Sequence, residues 1–186
     1  MKRQQLLLLI LAFGVFSILN TEMGIIGILP MAAEMYQVDI VQAGMLVSLF
    51  ALGVAIAGPT MPLLFSRFNR KHVMLLVLGV FTICNALAVV ASDFQLLLVL
   101  RVVPAFFHPV YCALAFSMAA ASVAPEDAPR AVARINMGVA AGMVVGVPIS
   151  NVLAATFDFS MAMVFFAGVT GLMFLLTMAF VPDLPV

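Results

Sequence analysis

Three titratable side chains lie inside stretches that are otherwise fit for hydrocarbon, and they are where this sequence could do chemistry. Glu22 stands in FGVFSILNTEMGIIGILP, Phe13 to Pro30, and Arg101 and His108 stand in LLLVLRVVPAFFHPVY, Leu96 to Tyr111. A charge at the centre of a bilayer costs roughly 3 kcal/mol on insertion scales, so such a residue is a functional site by default. Glu22 reads as a carboxylate that exchanges a proton or binds substrate in a cavity; the plainer alternative is an acid paired only for folding. Arg101 reads as a partner in proton coupling, as a structural lock, or as both. His108 follows Arg101 by seven residues on the same helical face. It reads as an extension of the proton path or as a hydrogen-bonding group between helices.

Weaker candidates surround these. Asn20, Thr21, Asn85 and Asn151 are polar groups within apolar runs, suited to interhelical hydrogen bonds or to substrate contact. Pro104 and Pro109 flank His108 and predict a kink with freed carbonyls, which either hydrate a polar path or merely bend the helix. Cys84 and Cys112 read as small packing residues, not as a disulfide or a metal pair. Abundant Phe and Met suit lipid, core, or a soft lining for varied apolar ligands. An enzyme is disfavoured, because the apolar runs hold no metal-ligand cluster and no nucleophile with a base.

The elements that must position these groups follow from composition. With 66% hydrophobic and 9% charged residues, the chain is far more apolar than a soluble domain and reads as a polytopic membrane protein. A net charge of zero excludes a basic nucleic-acid surface. A span takes about 20 apolar residues, and six segments qualify, near 5–29, 42–65, 72–91, 94–123, 131–155 and 160–181. Together they make one all-α domain over 1–186. Lys2 and Arg3 precede a long apolar run without a small-residue cleavage site, so the first helix reads as retained and not as a signal peptide. Lys2, Arg3, Arg67, Arg70, Lys71, Arg130 and Arg134 all fall at one end, which places both termini in the cytoplasm by the positive-inside rule. The basic link residues also suit contact with anionic lipid. Glu22 lies seven residues before Leu29, and Arg101 seven after Phe94, so both are expected about 10 Å below the outer surface, able to interact.

Small residues predict packing faces. Gly138, Gly142 and Gly146 recur every four residues before Pro148, and Ser48, Ala51, Ala55 and Gly58 form a second stripe. Such stripes let helices approach closely.

The residues now quoted resemble those of a known family. The six-helix pattern, the basic link between the second and third spans and the intramembrane Arg101 resemble the N-terminal half of a major facilitator superfamily transporter, in particular the proton-driven drug and sugar efflux permeases. TEMGIIGILP, Thr21 to Pro30, resembles their first-helix signature, and Leu96 to Tyr111 their fourth-helix motif. PLLFSRFNRKHVML, Pro62 to Leu75, is similar to the superfamily's loop motif and keeps Arg67, Arg70 and Lys71. Ser66 stands there for the usual aspartate, and Pro62 and Asn69 for glycines. GMVVGVPIS, Gly142 to Ser150, is similar to the antiporter motif, with Val147 in place of a glycine.

The resemblance implies a six-helix half made of a 3+3 inverted repeat, in a bacterial inner membrane. It implies proton-coupled efflux of a small organic, drug-like or sugar-like molecule by alternating access. No cofactor is expected beyond the proton, and no nucleic-acid partner. Family members usually carry twelve spans, so the chain is expected to pair as a parallel homodimer or with another half, the second span of one unit meeting the fifth of the other. The other expectation is a non-transporting, truncated half that assembles with or regulates a full-length transporter.

Overall fold

The computed structural model describes Lys2–Asp183, and every regular element among those residues is helical. Of the expected 1–186 domain, Met1 and Leu184, Pro185 and Val186 lie outside the described residues. The α-helices in chain order are α1 (Lys2–Gly24), α2 (Leu29–Tyr36), α3 (Ile40–Ala57), α4 (Met61–Leu64), α5 (Arg70–Val89), α6 (Phe94–Ala121), α7 (Ala128–Ala141), α8 (Val147–Thr156) and α9 (Phe159–Phe180). They make six membrane-competent spans: Arg3–Tyr36, Ile40–Ala57, Arg70–Val89, Phe94–Ala121, Pro125–Thr156 and Phe159–Phe180.

Prolines account for most departures from the expected spans. The first span does not stop at Leu29. After a short 3-10 turn at Ile26–Ile28 it resumes as α2, because Pro30 sits in the first turn of the new helix, where its missing N–H goes unneeded. Residues 31–36, expected in a polar connection, are therefore helical, and Gln37 ends them in a left-handed conformation, φ 52°. The second span stops at Ala57 and not near Phe65, since Pro59 cannot continue the hydrogen-bond ladder. By contrast α6 runs unbroken through Pro104 and Pro109. The fifth span is longer than 131–155 and carries a π-helical turn at Gly142–Gly146.

The acids at the end opposite the basic residues have a local purpose that charge sorting alone did not suggest. Asp39, Asp93 and Asp158 each stand just before a span and accept from backbone N–H groups, Asp93 from Leu96 and Asp158 from Met161, both at 2.9 Å. Such N-caps satisfy donors that a helix start leaves free. Asn69 does the same for α5 at the opposite, basic end. Gln4 donates to the Ser122 carbonyl at 2.9 Å, tying the chain start to the fourth-to-fifth link, and Tyr36 donates to the Ala91 carbonyl at the other end.

The second, fourth, first and fifth spans stand in a row, with the third and sixth packed together behind them. Two apolar clusters fill the interior. One holds Leu11, Ile18, Phe81, Tyr111 and Met118; the other holds Ile25, Leu46, Leu97, Met163 and Phe166. Thr21, Asn85 and Arg101 are buried polar residues linked in one layer, with Thr21 bonded to both of the others, while Asn20 and Thr170 are buried apart from it.

The glycine ladder is filled from within the chain. A Cβ on Gly138 would strike the Ala12 backbone carbonyl, one on Gly142 would press the Phe16 carbonyl and Leu19, and one on Gly146 would strike the Asn20 side chain. That face holds the first span and is closed to a second copy. Ser48, Ala51 and Ala55 are exposed and make no such internal packing, with Gly58 half-buried and Pro148 exposed; the tightly packed glycine of the second span is Gly53, against Ala105. Gly138→Ala is expected to lower stability by about 1–3 kcal/mol, because the obstacle is backbone that cannot rotate away. Gly44, with nothing within 4 Å of an added Cβ, serves as the control, and detergent-melting curves of the two variants that coincide would refute the assignment.

Candidate functional site

The site grows from the crossing of the first and fourth spans. Arg101, 2% exposed, extends from α6 and donates from Nη1 to the Thr21 carbonyl at 2.7 Å and from Nη2 to the Glu22 carbonyl at 3.4 Å. Its guanidinium carbon lies 4.9 Å from the centroid of the Phe50 ring on the second span. Three spans are thus joined by one cation. Asn85 on the third span donates to Thr21 Oγ1 at 3.3 Å, adding a fourth to the same layer.

The expected pairing of Glu22 with Arg101 is not what forms. Among the described residues the carboxylate contact is to His108, Nε2 to Oε2 at 2.9 Å, and Arg101 holds the backbone instead. Helix geometry explains this. Side chains lean toward the N-terminus of their own helix. The first and fourth spans run in opposite directions, so the Glu22 and Arg101 side chains lean apart, whereas Glu22 and His108 lean toward each other. The depth estimate also changes, since the first span ends at Tyr36 and not Leu29, which places Glu22 about 10 Å further from the end of its span.

The Glu22–His108 contact is close but poorly aligned: neither imidazole nitrogen makes a directed hydrogen bond, although both are buried. The Glu22 side chain keeps 17% of its surface exposed and that of His108 11%, so the pair is neither sealed nor turned wholly outward. The His108 ring meets Phe50 edge-on, centroids 6.1 Å apart, so one aromatic ring abuts both Arg101 and His108. Such a pair can hold one or two protons shared between its members.

Asn20 and Asn151 fall elsewhere, on the seam between the first and fifth spans. Asn20 is fully buried beside Gly146 with both amide atoms unpartnered, and Asn151 Oδ1 is unpartnered beside Gly27. Ser150 on the same seam donates to the Gly24 carbonyl at 3.4 Å. Arg67, Arg70 and Lys71 lie at the basic end around the start of α5, and among the described residues none joins an ion pair. Cys84 and Cys112 are free thiols. Among the described residues no group of His, Cys, Asp and Glu is placed to hold a metal ion. Sequence reasoning missed Phe50, because nothing local sets it apart from the other phenylalanines of the chain.

Comparison with known proteins adds a lineage. Residues 11–186 match the sequence model of the Major Facilitator Superfamily. An Escherichia coli (strain K12) protein, "Inner membrane transport protein YdhP", is 34% identical over 161 residues, 87% of this chain and 41% of that protein. The Bacillus subtilis "Uncharacterized MFS-type transporter YtbD" is 35% identical over 83% of this chain and 39% of its own. A Helicobacter acinonychis "Probable sugar efflux transporter" is 25% identical over 95% of this chain and 45% of its own. The chain therefore spans about two fifths of the length of these relatives. The fold matches a crystal structure of a bacterial homologue of the human lysosomal transporter Spinster, inward-facing and unoccupied, with TM-score 0.80 and 19% identity over 98% of this chain and 44% of that one.

Arg101→Met, which keeps bulk but removes the donors, is expected to destabilise the bundle by about 1.5–3 kcal/mol for each charged hydrogen bond lost. Phe50→Leu, which removes only the aromatic face, is expected to lose about 1 kcal/mol. Unfolding in mixed micelles measures both, and an Arg101→Met protein as stable as the parent would contradict the clamp.

Proposed function

The chain belongs to the major facilitator superfamily, and on that premise we propose that it is one six-helix half of a proton-coupled transporter that exports a small organic molecule by alternating access. Its relatives are transporters and not enzymes, and the six spans make it an integral membrane protein. The observation that carries the proposal is the Glu22–His108 contact at 2.9 Å within the membrane interior, with the carboxylate still partly accessible. In this reading Glu22 binds a proton when water reaches it from one side and releases it when the site opens to the other. His108 shares that proton, Arg101 fixes the first helix so that the carboxylate stays aimed at His108, and the change of charge alters affinity for the cargo. Asn20, Thr21, Asn85 and Asn151 stand as candidate polar contacts for cargo or water.

The same reading puts both termini in the cytoplasm, because the basic residues gather at the end where Gln4 meets Ser122. It treats the six spans as a 3+3 inverted repeat in an inner membrane. The row formed by the second, fourth, first and fifth spans is the face that would receive a second six-helix unit, either another copy in parallel or a different half. Its exposed small stripe, Ser48, Ala51 and Ala55, suits that contact better than the occupied glycine ladder. The other reading is a six-helix unit that assembles with or regulates a full-length transporter without itself transporting. A preparation active in vesicles only after a partner is added would select it.

In liposomes carrying a pH gradient, Glu22→Gln is expected to abolish gradient-driven uptake of every cargo in a panel of organic cations, organic acids and sugars. His108→Gln is expected to retain transport while displacing its pH profile. Full gradient-driven transport by Glu22→Gln ends the proposal. For assembly, Ala51→Cys with Val145→Cys, in a background without Cys84 and Cys112, is expected to crosslink two chains in the bilayer. Leu172→Cys on the sixth span, 56% exposed, is expected not to. Monomers alone from the first pair would rule out the parallel dimer.

A further inference from the structure

One sizeable cavity in the molecule does not contain Glu22. It is a groove of about 750 Å³ between the first and fifth spans, within the size range of small-molecule sites. Phe13, Phe16, Met137 and Val145 give it apolar walls, and its polar groups are Gln5 and Arg134. No acid lines it.

We propose that this groove is a subsite for an amphipathic organic anion, its charged group on Arg134 and its apolar body laid along the first span toward Phe16. The inference rests on the transporter reading above and names the class of cargo. Three observations support it. Among the described residues Arg134 joins no ion pair, whereas Arg130, one turn earlier, lies 3.5 Å from Asp127. Arg134 also lines a second, smaller cavity of about 180 Å³ with Asp127 and Arg130, so the residue borders both an apolar groove and a polar recess. One planar cation outside any ion pair, on an apolar trough that no acid lines, is complementary to a carboxylate or sulfate on a hydrophobic tail. Second, the wall from Gln5 to Phe16 extends about 16 Å at 1.5 Å per residue, long enough for an extended alkyl or fused-ring body. Third, Ala12 and Gly138 both line the groove and meet in close contact, so tight packing of the first span on the fifth closes its floor.

The placement has a consequence for coupling. The anionic group would rest near the basic end of the first span, with Glu22 beyond the far end of the groove, so cargo and proton would occupy separate places on one helix. Coupling would then pass through movement of the first span against the fifth, and not through competition for a single carboxylate.

The test is binding of radiolabelled dodecanoate to the purified full chain in phosphatidylcholine nanodiscs, compared with its methyl ester and with dodecyltrimethylammonium. Dodecanoate is expected to bind about tenfold more tightly than either, a difference of about 1.4 kcal/mol. Arg134→Gln is expected to erase the preference while Arg134→Lys keeps most of it, and Arg67→Gln, which removes a charge at the same end, is expected to leave it unchanged. Equal binding of acid and ester overturns the proposal, as does an unaltered Arg134→Gln protein. Displacement of dodecanoate by phosphatidylglycerol added to the nanodisc also overturns it, since the groove would then be a lipid site. Because no proton gradient enters the measurement, failure here leaves the Glu22 account standing, and failure of Glu22→Gln to affect transport leaves this one testable.

Discussion

A guanidinium within an apolar bundle has to find oxygen acceptors, and Arg101 finds them on the backbone of the first span. Its bonds to the Thr21 and Glu22 carbonyls fix where the first helix crosses the fourth, and the Phe50 ring covers its other side. Losing any one of these would leave a buried charge short of a partner, which is strongly unfavourable in a low-dielectric interior. The arginine thereby sets the register of two helices, and that register decides what the neighbouring carboxylate can touch.

With the first helix held at its carbonyls, the Glu22 side chain is left to His108. The division matters for chemistry. An arginine cannot give up its proton to a carboxylate it grips, whereas a histidine can share one with it. The polar layer formed by Thr21, Asn85 and Arg101 is buried, and an unpartnered atom remains in it, Arg101 Nε. A layer with unmet hydrogen bonds is a poor permanent seal. It suits a place where helices change partners or where water enters.

Much of the architecture was legible in the sequence, for physical reasons. Spans are long, uniform apolar signals, and the charges sort by end, so six helices and three intramembrane titratable groups could be named before any coordinates. Pairing was less legible. Equal distances of Glu22 and Arg101 from presumed helix ends suggested a direct ion pair, yet side-chain lean and the continuation of the first span through Pro30 put His108 against the acid instead. Pro30 misled because a proline that ends one helix and one that begins the next look alike in sequence. The glycine ladder announced close packing but not its partner, which is the first span, since a four-residue repeat carries no address. Phe50 was invisible for the same reason: its role comes entirely from what two other spans place against it.

The central claim is that Glu22 and His108 form a unit that takes up and releases a proton inside the membrane. Infrared difference spectroscopy across a pH titration of the reconstituted protein tests it most directly, through the carbonyl stretch of a protonated carboxyl group. The account predicts a band that appears and disappears reversibly with pH, is absent in Glu22→Gln, and is displaced in frequency in His108→Gln. A spectrum with no titrating carboxyl band, or one that survives unchanged in Glu22→Gln, would contradict it.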